Sequence, residues 1–116
     1  MLSAPGAGVY AGPGWWAALI EAAREAVPAA RCEAVLDCDD DAGAAMAAIR
    51  AGVEAVIFTG HGDVAERLDD IAVAQDCRLL TGRPNPLLDL GDLFFADPET
   101  LRRRCADALA SLRPIC

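Results

Sequence analysis

The chain has 116 residues, enough for one domain with a single buried core. Its net charge of -8 and its lack of any lysine argue against nucleic acid, which asks for clustered cations. No stretch approaches the ~20 consecutive apolar residues that a membrane span requires, so no membrane partner is expected.

Hydrophobic residues make up 54 %, but only 5 % are aromatic, so the core must rest on Ala, Val, Leu and Ile. An apolar surplus in so small a chain implies surface buried against another subunit, and a homo-oligomer is expected. The N-terminus has no basic region before an apolar run, so it does not read as a secretory signal and the expected location is the cytoplasm. Five cysteines, odd in number and without a CxxC pair, read as reduced thiols.

In chain order, Leu2–Ala4 is a candidate first strand, with Gly8–Tyr10 competing for that role. A helix is expected from Pro13 to about Val27, with a wide apolar stripe of Trp15, Trp16, Leu19, Ile20, Ala23 and Val27. One tryptophan of the pair can face the core, and the other is a candidate for a subunit interface or for burial under a loop. Glu33–Asp37 reads as a short strand. Asp39, Asp40 or Asp41 can cap a helix over 41–51, which Gly52 stops. Ala55–Thr59 is continuously apolar, the mark of a strand buried on both faces of a parallel sheet.

Asp63 and Glu66 have capping-box spacing at the start of a third helix, whose inner side is Val64, Leu68, Ile71, Ala72 and Gln75. Arg78–Thr81 is a further strand. Residues 82–96 are irregular, with Leu93-Phe94-Phe95 as a short strand or core plug. Asp97-Pro98 opens a last helix with Leu101, Cys105, Ala108 and Leu112 on one side and Pro114 at its end.

Strands alternating with helices predict one α/β domain over 1–116, with a parallel sheet of about four strands. It is either a (βα) half-barrel of TIM-barrel type or a flavodoxin-like three-layer sandwich. Right-handed crossovers gather Ser3–Gly6, Asp37–Asp41, Thr59–Asp63 and Thr81–Asn85 on one rim, where sites in such folds lie.

Asp37, at a strand end, is the candidate acid–base residue. Cys38 and His61 are candidate metal ligands, although a catalytic zinc usually takes three from the protein. The neighbouring aspartates are better explained as helix caps. Thr59, Gly60, His61 and Gly62 form a strand-to-helix turn whose N–H groups could approach an anion. Arg83 is the one cation on the rim, suited to a small carboxylate or phosphorylated ligand. No cofactor is expected, zinc being the one these residues could hold. In a receiver-like or flavodoxin-like reading the acidic cluster would bind Mg²⁺, against which the missing lysine counts.

Three segments, SAPGAGVYAGPGWWAALIEAARE, AVLDCDDDAGAAMAAIRAGVEAVIFTG and, more weakly, ADPETLRRRCADAL, resemble class II, zinc-dependent ketose-bisphosphate aldolases. The resemblance implies that Asp37 matches the family's acid–base aspartate. It puts Cys38 where the first zinc-ligand histidine belongs, Thr59 where an aspartate belongs and His61 where a serine belongs, with Gly60 matching. Later-strand zinc ligands and phosphate loops find no counterparts. The resemblance therefore implies a truncated, aldolase-like half-barrel without the catalytic zinc, with a structural, regulatory or small-ligand-binding role. A metal-dependent lyase using Asp37 is the alternative. Open sheet edges again imply pairing between subunits.

Overall fold

The structure is a computed structural model that describes residues 1–29, 32–85, 88–91 and 96–110. The chain divides into two compact units, Met1–Arg83 and Pro84–Cys116.

In the first unit the order is α1 (Ala7–Tyr10), α2 (Gly12–Ala26), β1 (Val35–Asp37), α3 (Ala42–Arg50), β2 (Ala55–Ile57), α4 (Gly62–Ala74) and β3 (Arg78–Leu80). The three strands make a parallel sheet in the order β1-β2-β3, with Asp37 opposite Ile57 and Ile57 opposite Leu80. Leu2 adds a single parallel bridge to Val35, which sets that segment beside β1 at the edge of the sheet. The segment at residues 2–4 is thus the strand-like one. Its rival at 8–10 is helical, because Gly6 turns the chain at φ 70° and starts α1.

The two faces of the sheet are occupied differently. Leu36, Val56 and the partly buried Leu79 share one core with Ala7, Trp16, Ile20, Ala48, Ile49, Leu68 and Ala72, so α1 to α4 all pack on one side. Val35, Ala55 and Ile57 lie on the other side, with Leu2 and Leu80 beside them. Alternation along each strand sends successive side chains to opposite faces. All three residues of β1 and of β2 are buried, as the apolar continuity of the sequence requires.

The stops are local. Asp41 Oδ1 accepts the N–H of Ala44 at 2.9 Å and caps α3, and Gly52 ends it at φ 86°. At α4 the cap differs from expectation: the helix already includes Gly62, and His61 Nδ1 accepts the N–H of Asp63 at 3.3 Å. Asp63 falls in the first turn, where a carboxylate still favours the helix dipole. The stripe on α2 is narrower than expected. Trp16 and Ile20 are buried, whereas Trp15, Leu19 and Val27 are exposed. An alanine-rich helix that is apolar nearly all round can lay only one side on a single sheet face.

The second unit contains α5 (Pro98–Ala110). Asp97 Oδ1 accepts the N–H of Thr100 at 2.7 Å, and proline takes the first helical position. Leu101, Cys105 and Ala108 are half-buried, at the expected spacing. The expectations at Leu93–Phe95, Leu112 and Pro114 lie outside the described residues.

Candidate functional site

Asp37 ends β1 on the face opposite the helices, and its side chain is only 7 % exposed. Both of its oxygens are engaged. Oδ1 accepts the N–H of Asp39 at 2.8 Å, and Oδ2 accepts from Arg83 Nη1 at 2.7 Å. Arg83 Nη2 donates to the Ser3 carbonyl at 2.9 Å, and Ser3 Oγ accepts the Asp37 N–H at 2.9 Å. A closed circuit therefore joins Ser3, Asp37 and Arg83, three segments far apart in sequence. Ser3 and Asp37 are the only two buried polar or charged residues among those described, and each is satisfied by this circuit.

Ser3 is the member that sequence reasoning left without a role. The signal was its place in the candidate first strand, where that strand reaches the rim. Arg83 is on the rim as expected, but its partner is a carboxylate of its own chain. Its side chain is 30 % exposed, so the guanidinium is not sealed from solvent.

The turn after β1 is shaped by the same circuit. Asp39 takes a left-handed conformation at φ 52°, which aspartate tolerates better than most residues. Its carbonyl accepts the Thr59 N–H at 2.8 Å, which links the turns after β1 and β2. Thr59 Oγ1 stands 3.5 Å from Asp39 Oδ1. Thr59 thus couples two rim turns.

Gly60 has a packing role: a Cβ there would overlap Cζ of Phe58, whose ring lies beside the turn. Gly62 has open space where a Cβ would stand. It borders a cavity of about 450 Å³ together with Glu66, Asp69 and Thr81. Two carboxylates there oppose an anion at this turn.

The two candidate metal ligands are in unlike surroundings. Cys38 is fully buried on the helix-facing side with Leu36. Burial, and then the charges of Asp37, Asp41 and Cys77, push its thiol up to about 12. A metal takes the thiolate, which this environment disfavours. His61 is 76 % exposed and serves as the α4 cap. Among the described residues no three His, Cys, Asp or Glu side chains form a group that could hold a metal ion. The arrangement of Asp37 and Cys38 follows from strand alternation: neighbours in sequence, they point to opposite faces.

Chemically, the rim offers a sheltered carboxylate held by two donors and a partly exposed guanidinium. That pairing fixes a carboxylate in place, and leaves Arg83 as the group that solvent and small solutes can reach. Among the described residues, no helix is long and apolar enough to cross a membrane. No family model matches this chain, and neither a curated protein nor a solved structure is significantly similar to it.

Proposed function

We propose that the chain is an aldolase-like (βα) half-barrel that does not catalyse a reaction and acts as a homo-oligomer, in a structural, regulatory or small-ligand-binding role. The observation that carries this reading is the Asp37 carboxylate, whose two oxygens are taken by Asp39 and Arg83. A residue that ties three rim segments together in this way acts as a strut. A general base needs an oxygen within reach of the proton it abstracts.

The strand order supports the half-barrel over the flavodoxin-like alternative. A flavodoxin-like sheet sets its first strand between the second and third. Here the Leu2 segment, β1, β2 and β3 follow in sequence order, and the helices of the first unit share one side of the sheet. For a ligand, the partly exposed Arg83 suits a small carboxylate or phosphorylated compound. Exposed Trp15 and Leu19 on α2 give the oligomer reading an apolar surface to work with.

The test combines elemental analysis, mass in solution and one substitution. The expected outcome is a metal-free oligomer that Asp37→Ala destabilises. Stoichiometric zinc that is lost in Cys38→Ala, or a stable monomer, would overturn the reading.

A further inference from the structure

A cavity lies at the other end of the strands, where they begin. About 540 Å³ in volume, it opens between α2 and the turn from α3 into β2, in the size range of small-molecule sites. Its apolar lining includes Trp16, Ile20, Ala34 and Val53, all buried core residues. Its charged lining is Glu21, Arg24 and Glu25 from α2, with Glu54 across from them.

Among the described residues the charges are not balanced. Arg24 is paired with Glu54 and also donates to the Cys32 carbonyl at 3.3 Å. That leaves the Glu21 and Glu25 carboxylates, one helical turn apart, without a cation among the described residues. Like charges at this spacing repel, and a cation between them removes the repulsion. An aromatic side chain beside carboxylates is also the surrounding that alkylammonium groups favour.

We propose that this cavity is a binding site for a small organic cation with an apolar body, an aralkylammonium compound in chemical class. The apolar part lies against Trp16, Ile20 and Val53, and the ammonium group lies between Glu21 and Glu25. The site is at the N-terminal ends of the strands, away from Asp37 and Arg83, so it stands or falls independently of the reading of that rim.

Trp16 supplies the probe. Its ring lines the cavity, and its buried indole Nε1–H has no hydrogen-bond acceptor among the described residues, so a ligand seated there shifts the indole resonance. The experiment titrates the full chain with benzyltrimethylammonium and follows the Trp16 indole resonance, assigned against Trp15→Phe. Benzyl alcohol and phenylacetate serve as neutral and anionic comparators. The proposal expects a saturable shift with the cation and a weaker response to the other two. The double substitution Glu21→Gln/Glu25→Gln should weaken cation binding by about tenfold, since each exposed pair contributes modestly. Both glutamates are exposed, so the variant keeps its fold, checked by an unchanged unfolding midpoint. Equal responses to all three compounds, no saturation with the cation, or undiminished binding in the double variant would each overturn the proposal.

Discussion

Asp37 and Arg83, 46 positions apart, meet at 2.7 Å on the rim formed by the strand C-termini. The carboxylate is nearly buried and the guanidinium partly so, and the Ser3 carbonyl takes a second arginine N–H. Together they join the end of β1 and the Ser3 segment to the turn that follows β3. Removing either partner leaves the other charge without its counter-ion in a sheltered place, which costs more than an exposed pair is worth. Arg83→Ala is expected to lower stability by about 2–3 kcal/mol and Asp37→Ala by about 2 kcal/mol. A double-mutant cycle in urea unfolding should return a coupling of about 1–2 kcal/mol. A coupling near zero would show that the pair does not tie the rim.

The contact between Gly8 and Cys38 gives a second prediction. A Cβ on Gly8 would stand 2.6 Å from Cys38 Sγ and 3.1 Å from the Asp37 carbonyl oxygen, and backbone cannot step aside. Gly8→Ala should therefore cost about 1–3 kcal/mol through overpacking. Gly14, in the first turn of α2, has open space and no positive φ. Gly14→Ala should stabilise by up to about 1 kcal/mol. Thermal unfolding of the two variants checks the opposite signs.

Thiol reactivity separates the cysteines. Cys38 is buried with its thiol pushed up to about 12, and burial, with the charge of Glu33, raises the Cys77 thiol. Cys32 is exposed. Alkylation of the native chain at pH 8 should label Cys32 first and leave Cys38 and Cys77 until unfolding, as read by peptide mass mapping. The same shift makes stability depend on pH. An unfolded thiol ionises near 9, whereas the folded Cys38 keeps its proton to about 12. Its contribution is fully present below about 9 and is lost as pH rises towards 12. The unfolding midpoint in that window should fall less steeply in Cys38→Ala.

Asp97 gives the opposite sign. Its hydrogen bonds with Thr100, side chain first and backbone second, hold its carboxyl below the usual 3.8. That contribution is present above the unfolded value and is lost as pH falls through the lower folded one. The Thr100 amide resonance should move with this titration, and Asp97→Asn should abolish the movement.

The sequence alone settled the class of fold. Apolar continuity at 55–57 marks a buried strand within the sequence itself, and the Gly52 stop and the Asp41 and Asp97 caps are local rules, because each depends on groups within a few residues. The rim was legible too, since parallel strands joined by helices bring their C-terminal ends together. What each rim side chain does was decided by tertiary structure. Strand alternation separated Asp37 from Cys38, and the fold alone supplied Arg83 and Ser3 as partners from 46 and 34 positions away. It also chose which tryptophan to bury and made His61 a helix cap. The physical reason is range. Caps and stops are fixed by neighbours in the chain, whereas burial and charge pairing depend on groups that meet only after the strands have closed into a sheet.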